Sequence, residues 1–190
     1  MEIDRILYPV ESLGPGKRVV VWTIGCSKHC KNCSNKELWE KNNKKDIPSY
    51  KVLDLIKNIC KSEQVDGITF TGGDPFEQKD ELIKIIEGLD GFCEDILVYT
   101  GYTEKELYDL LSEEETEKVK TLVSVLIEGP YVDELNDNVS CLKGSSNQRI
   151  IIYNKNLCPI YNEYIKQGRK IQNFYVKNRA ISVGIHNKED

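Results

Sequence analysis

The chain has 190 residues, a formal net charge of −5 and a charged fraction of 30%. This length fits one domain with its own hydrophobic core. The acidic balance excludes a protein that binds nucleic acid or anionic lipid mainly through charge. Seven cysteines, three of them clustered, indicate a reducing compartment and a metal site and argue against a disulfide framework. With neither a signal peptide nor a membrane-length apolar run, we expect a cytoplasmic protein without membrane or nucleic-acid partners.

Strand and helix patterns alternate along the first 153 residues. Predicted strands are Arg18–Ile24, Gly67–Thr71, Ile96–Thr100, Val123–Ile127 and Arg149–Tyr153. Two predicted helices are Tyr50–Ser62, with Ser49 as its cap, and Asp80–Gly88, with Gly88 as its C-cap. A third begins at a capping box of Thr103 and Glu106 and has Leu107, Leu110 and Leu111 on its inner face. The acidic run Glu113–Glu117 predicts a solvated helix face. Apolar strands alternating with amphipathic helices indicate parallel β/α units.

The last 33 residues have a different pattern. Pro159–Gln167 predicts a helix ended by Gly168, and Ile171–Val176 and Ala180–Ile185 predict two short strands that could form a hairpin. We therefore predict a main domain over residues 1–157 and an extension over residues 158–190 that packs on the same domain.

Loops with candidate functional residues follow four of the predicted strands. They are the cysteine loop (Gly25–Asn35), Thr71–Pro75, Thr100–Tyr102 and Glu128–Pro130. Because the carboxyl ends of parallel strands meet at one edge of a sheet, we expect these loops to form a single rim.

The cysteine loop carries Cys26, Cys30 and Cys33, a C-x3-C-x2-C spacing. Three thiolates from one loop can hold three irons of a cubane iron–sulfur cluster and leave the fourth open for chemistry. A structural zinc would need a fourth ligand, for which His29 is an awkward candidate, and unliganded thiols are the remaining alternative. Trp39 packs either beside the metal group or in the core at the base of the loop.

The second rim loop contains Gly72, Gly73 and Asp74 between Thr71 and Pro75. Two glycines at a strand end let a ligand approach the backbone, and the carboxylate could help to hold the ammonium of an amino acid. The alternative is a tight turn that leads into the next helix.

Together these loops resemble the radical S-adenosylmethionine superfamily, and within it the activating proteins of anaerobic ribonucleotide reductase, which are glycyl-radical activases. The resemblance covers about residues 1–152. It rests on the cysteine motif, Gly72–Pro75, Tyr8-Pro9-Val10, Gly14-Pro15-Gly16-x-Arg18, Cys33-Ser-Asn35-Lys36-x2-Trp39, Tyr99–Tyr102 and Gly144–Gln148. Asn32 stands where many members of the superfamily have an aromatic residue.

The resemblance implies a partial (β/α)6 TIM-like barrel of mostly parallel strands. It implies a [4Fe–4S] cluster on Cys26, Cys30 and Cys33, and S-adenosylmethionine bound near Asn32, Cys33, Ser34, Thr71, Gly72, Gly73, Asp74 and Thr100. One electron from a flavodoxin or ferredoxin would cleave the cofactor to a 5′-deoxyadenosyl radical, which would take a hydrogen from a glycine of the partner enzyme.

Two other functions stay open at this point. The unmatched extension suggests a small radical S-adenosylmethionine enzyme that modifies a peptide or small molecule. A binding module with structural zinc or an electron-transfer cluster is the other. Under the activase hypothesis, Gly14–Gly16 and Gly144–Arg149 could clamp a loop of the partner.

Overall fold

A computed structural model describes residues 1–176 and 179–188. Six strands form one sheet in sequence order: β1 Ile3–Val10, β2 Arg18–Thr23, β3 Gly67–Gly72, β4 Ile96–Tyr99, β5 Val125–Glu128 and β6 Arg149–Ile152. The helices are α1 Ser49–Ser62, α2 Lys79–Leu89, α3 Glu104–Leu110, α4 Glu113–Leu122 and α5 Cys158–Ile165. A separate hairpin consists of β7 Ile171–Val176 and β8 Arg179–Gly184. No helix among the described residues is long and apolar enough to cross a membrane.

The sheet is parallel in its centre and antiparallel at both edges. Strands β2 to β5 pair in parallel, joined by α1, by α2 and by α3 with α4, whereas β1 and β6 run antiparallel to their neighbours. The predicted α/β class, a mostly parallel sheet consistent with a partial barrel, is confirmed. The first strand, β1, was not predicted because its residues Ile3–Val10 mix charged and apolar positions and are mostly half-buried.

Side chains alternate between two cores on opposite faces of the sheet, as the strand period of two requires. Val19 and Val21 of β2 pack against the helices in the outer core, together with Ile68, Phe70 and Val98. Val20 and Trp22 point to the concave face, where Val183 of β8 packs on them. The inside of the partial barrel is therefore filled in part by the extension.

Three helical predictions were wrong in detail. Ser49 is the first residue of α1, and the N-cap position belongs to Pro48, without a side-chain cap hydrogen bond. Gly88 lies inside α2, which ends at the C-cap Asp90. A Cβ on Gly88 would stand 2.3 Å from Leu53 Cδ2, so the missing side chain allows α1 and α2 to pack closely. Leu110 is 39% exposed, whereas Leu107 and Leu111 are buried as predicted. The capping box of Thr103 and Glu106 is confirmed.

The extension packs against the concave face. Tyr161 and Tyr164 of α5 are buried beside Leu97 and Ile127. The Tyr164 hydroxyl donates to the Glu11 carbonyl at 2.7 Å, and the predicted hairpin is present as β7 and β8. The domain boundary between residues 157 and 158 stays a prediction.

A fully buried arginine closes the amino ends of the parallel strands. Arg18, 0% exposed, donates from Nη1 to Asp95 Oδ2 at 2.7 Å and from Nε to Thr69 Oγ1 at 2.7 Å. The Pro15 and Ile68 carbonyls accept further bonds from its guanidinium, and the Tyr161 hydroxyl donates to Asp95 Oδ1 at 2.7 Å. Buried charges are tolerated when they are paired and hydrogen-bonded like this.

Replacing Arg18 by Met should lower the free energy of unfolding by about 3–5 kcal/mol, because it leaves the buried Asp95 carboxylate without its cation. The measurement is urea denaturation under anaerobic conditions. The control is Lys166→Met, since Lys166 and its partner Glu163 are 69% and 70% exposed. That change should cost about 1 kcal/mol or less. Equal losses in the two variants would contradict a structural role for the buried pair.

Candidate functional site

The four predicted loops meet at the carboxyl ends of β2 to β5, and we call this edge the carboxyl rim. Gly101 N–H donates to Asp74 Oδ2 at 2.8 Å, and Gly129 N–H donates to the Tyr102 carbonyl at 2.9 Å. Asp74 N–H donates to the Gly25 carbonyl at 2.8 Å, which joins the second rim loop to the cysteine loop. The prediction of a single rim is therefore confirmed by direct hydrogen bonds between its loops.

Two main-chain hydrogen bonds close the base of the cysteine loop, and the chain reverses its direction within the loop. Gly25 N–H donates to the Leu38 carbonyl at 2.8 Å, and Cys26 N–H donates to the Trp39 carbonyl at 3.0 Å. Within the loop His29 and Asn32 take φ values of 44° and 57°, which reverse the chain between the cysteines. The loop thus holds Cys26, Cys30 and Cys33 as half-buried free thiols on one short stretch.

One backbone amide donates to the sulfur of Cys33, and others oppose the effect of burial on the pKa values of Cys26 and Cys30. Burial raises the pKa of Cys26, against hydrogen bonds from the Lys28 and His29 amides. Burial likewise raises the pKa of Cys30, against the Tyr131 amide. Asn35 N–H donates to Cys33 Sγ at 3.4 Å. Such bonds favour the charged form of the sulfur and tune iron–sulfur clusters, so the donor set fits a thiolate-bound cluster.

A single-metal site is a poorer fit to the same loop. Among residues 1–176 and 179–188, no three His, Cys, Asp or Glu side chains form a group that could hold one metal ion. His29 stacks on Trp39 with ring centroids 4.7 Å apart, which gives both side chains a packing role. A cubane cluster instead takes one thiolate per iron, so its ligands surround the cluster and need not converge on one ion.

The two glycines of the second rim loop lie against the backbone of the cysteine loop. Gly73 N–H donates to the Thr23 carbonyl and Asp74 N–H to the Gly25 carbonyl, both at 2.8 Å. A Cβ would stand 2.5 Å from Thr23 N at Gly72 and 2.3 Å from Gly25 O at Gly73. The glycines are therefore required for this backbone contact, and their predicted approach to a ligand stays a prediction.

The Asp74 carboxylate is turned into the protein, where it is 1% exposed. It accepts hydrogen bonds from the Phe76 amide at 3.0 Å, from the Thr100 hydroxyl at 3.0 Å and from the Gly101 amide. Burial raises its pKa to about 6, against these three donors. Asp74 thus fastens the ends of β3 and β4 to each other, and its predicted contact with a ligand ammonium stays untested.

A cavity of about 790 Å³ opens beside the cysteine loop on the concave face. Of the predicted cofactor residues, Asn32, Cys33, Ser34 and Thr71 line it, whereas Gly72, Gly73, Asp74 and Thr100 lie outside its lining. Tyr131, Gly144 and Gln148 also line it, as do residues 180–188 of the extension. The cavity is within the size range of small-molecule and cofactor sites.

Sequence reasoning missed one residue that holds the cysteine loop. Glu77 accepts hydrogen bonds from Ser27 N–H at 3.0 Å and from the Tyr102 hydroxyl at 3.0 Å, and it also bonds to the Ser27 hydroxyl. It therefore links two rim loops next to Cys26. Only its position shortly after Gly73-Asp74-Pro75 could have pointed to it.

The two proposed clamp segments lie at different ends of the sheet. Gln148 donates to the Gly129 carbonyl at 2.9 Å, so the segment after Gly144 is at the carboxyl rim. The Gly14–Gly16 loop is instead at the amino ends of the strands, where Pro15 bonds to Arg18 and the following Lys17 N–H donates to Asp66 Oδ2 at 2.8 Å. A clamp role for Gly14–Gly16 at the rim is therefore wrong.

Comparison with known proteins agrees with the geometry of the site. A family model described as a 4Fe-4S single cluster domain matches residues 12–151. The chain is 33% identical over 149 residues to the anaerobic ribonucleoside-triphosphate reductase-activating protein of Escherichia coli (strain K12), a match that covers 74% of this chain and 92% of that protein.

Two further relatives carry the same description. The protein of Enterobacteria phage T4 is 34% identical over 155 residues, covering 79% of this chain and 93% of its own length. That of Haemophilus influenzae is 28% identical over 151 residues, with 75% and 93% covered. The chain therefore belongs to the radical S-adenosylmethionine family of anaerobic ribonucleoside-triphosphate reductase-activating proteins.

Proposed function

We propose that this chain activates an anaerobic ribonucleoside-triphosphate reductase by removing a hydrogen atom from a glycine Cα of that enzyme. The relatives named for this activity are matched over more than nine-tenths of their own length. The observation that carries the proposal is the cavity beside Cys33, which lies on the concave face and is bordered by the rim. A reaction on another protein needs an accessible site of this kind.

The cofactors are a [4Fe–4S] cluster and S-adenosylmethionine. Cys26, Cys30 and Cys33 hold the cluster, and the Asn35 amide donates a hydrogen bond to the sulfur of Cys33. When bound, the cluster and S-adenosylmethionine supply a 5′-deoxyadenosyl radical by one-electron reductive cleavage, and the protein's task is binding, orientation and exclusion of water.

The remaining site residues divide into two groups by position. Asn32, Ser34 and Thr71 line the cavity next to Cys33, where they would contact the adenosyl part of the cofactor. Gly72, Gly73, Asp74 and Thr100 lie at the strand ends beside it, where they would support its amino acid end. For Asp74 and Thr100 this support acts through position, because their polar groups bond to each other.

A flavodoxin or ferredoxin is the electron donor in this proposal, since the cleavage consumes one electron. The cytoplasmic location expected from the sequence stays a prediction. The alternative, a small radical S-adenosylmethionine enzyme with a peptide or small-molecule substrate, predicts the same cofactor chemistry with a different hydrogen donor.

Replacing Cys30 by Ala should remove the cluster, because two thiolates remain of the three that hold it. We expect the iron and sulfide bound per chain after anaerobic reconstitution to fall severalfold, and reductive cleavage of S-adenosylmethionine to fall to background. The control is Cys60→Ala, which removes a half-buried thiol of α1 away from the loop. A Cys30→Ala variant that keeps its iron would contradict the ligand assignment.

Mixing the reduced holoenzyme with S-adenosylmethionine and the anaerobic reductase of the same organism should give a glycyl-radical doublet in electron paramagnetic resonance. The doublet should be absent when the Cys30→Ala variant replaces the wild-type chain. If S-adenosylmethionine is cleaved and the reductase shows no doublet, the activase proposal fails and the alternative function replaces it.

Replacing Asp74 by Asn should weaken S-adenosylmethionine binding about tenfold or more. The new amide group places an N–H toward the Gly101 N–H, and a buried donor without an acceptor costs about 1–3 kcal/mol. The measurement is equilibrium dialysis of the holoenzyme. The control Asp80→Asn changes an exposed carboxylate in the first turn of α2 and should leave the dissociation constant unchanged. An unaltered dissociation constant for Asp74→Asn would show that the hydrogen bonds of Asp74 do not position the cofactor site.

A further inference from the structure

The extension, residues 158–188 as far as the structure describes them, is fixed to the rest of the domain beside the cavity and at the end of β1. Arg169, only 6% exposed, donates to the Gly144 carbonyl at 3.2 Å and to the His186 carbonyl at 2.7 Å. Gln172 donates to the Pro9 carbonyl at 3.0 Å and accepts from Glu11 N–H at 2.8 Å. These bonds hold the hairpin in a defined position on the concave face, beyond the residues that the family model matches.

Strand β8 borders the cavity with its edge. The five consecutive residues 180–184 all line the cavity. Because successive side chains of a strand point to opposite faces, a run of five lining residues places the backbone edge itself at the cavity wall. In the described part of the chain β8 pairs only with β7, so its other edge has no strand beside it.

Between residues 180 and 184 this strand has no charged side chain or proline that would prevent pairing with another chain. Edge strands are usually protected by charged side chains, proline or a covering segment. Residues 180–184 are Ala-Ile-Ser-Val-Gly, without a charge or a proline, and Ala180 and Ser182 are exposed. The Val183 carbonyl accepts a hydrogen bond from the Ser12 hydroxyl at 2.8 Å, so the stretch before it offers the more accessible backbone.

The cysteine loop lines the same cavity as β8. Cys33, Ser34 and Asn35 contribute to its wall together with residues 180–184. A chain segment that lay along β8 would therefore pass beside the loop that holds the cluster. A glycine in that segment has no side chain to keep its Cα from a close approach.

We propose that β8 is the docking strand for the partner: the glycine-bearing segment of the reductase enters the cavity as an extended strand and pairs with the free edge of β8. Pairing of this kind binds through main-chain hydrogen bonds and places alternate residues toward opposite sides. The inference rests on the proposed function and adds to it the mode in which the substrate segment is held.

Residue-resolved amide hydrogen exchange of the holoenzyme with S-adenosylmethionine, with and without the reductase, tests the proposal. Strand pairing predicts that alternate amides among residues 180–184 exchange at least tenfold more slowly when the reductase is bound, while β7 amides stay unchanged. The glycyl doublet is recorded on the same mixtures. A doublet with unchanged exchange in β8 overturns the docking strand and leaves the proposed function standing.

The other outcomes are equally decisive. Slower exchange in β8 on addition of S-adenosylmethionine alone assigns this edge to the cofactor and overturns the inference. A mixture that shows neither doublet nor binding overturns the proposed function, and the docking strand with it.

A matched pair of variants gives a second readout. Ser182 and Asn162 are both exposed residues of the extension, but Ser182 lines the cavity and Asn162 of α5 does not. Ser182→Trp should therefore weaken binding of the reductase at least tenfold, and Asn162→Trp should leave it unchanged. Iron content confirms that both variants fold. Equal binding by the two variants would contradict a substrate segment beside β8.

Discussion

The site depends on the close contact between two backbones at the carboxyl rim. The end of β3 lies against the start of the cysteine loop, with Gly73 N–H bonded to Thr23 and Asp74 N–H bonded to Gly25. Neither Gly72 nor Gly73 has room for a Cβ. This contact sets where the cysteine loop begins, and the Asp74 carboxylate fixes the next strand end to the same point. Main-chain packing at the base of the cysteine loop thus determines the position of its three thiols.

The residues that stabilise the fold and those of the candidate site lie at opposite ends of the strands. At the amino ends, the Arg18 guanidinium is neutralised by Asp95 and surrounded by carbonyls, which closes the bottom of the partial barrel. At the carboxyl ends, the loops carry half-buried thiols and closely packed glycines, and a cavity opens beside them. Parallel β/α folds commonly divide their residues in this way, since the loops after the strands can vary without disturbing the core. In this chain Tyr161 of α5 bonds to Asp95 at the amino ends of the strands, and the hairpin borders the cavity.

Much of this arrangement could be predicted from local patterns. Apolar strands, helix periodicity and the Thr103–Glu106 capping box identified the α/β fold, and the C-x3-C-x2-C spacing predicts which loop holds the cluster. The direction of a side chain such as Asp74 could not be predicted, because its three donors come from residues that the fold brings together. For the same reason Gly88 looked like a helix end, although it is a packing position against Leu53. Gly14–Gly16 lies at the amino ends because β1 runs antiparallel to β2. The mixed pattern of β1 did not predict a strand, so this position could not be predicted either.

The central claim is that three cysteines of this loop hold a cubane cluster and leave one iron open beside the cavity. Mössbauer spectroscopy of the ⁵⁷Fe-reconstituted chain, with and without S-adenosylmethionine, tests it most directly. The account predicts a [4Fe–4S] spectrum in which one iron of the four changes its parameters when the cofactor is added. Four irons that stay unchanged on addition of the cofactor, or a spectrum without a cubane cluster, would contradict it.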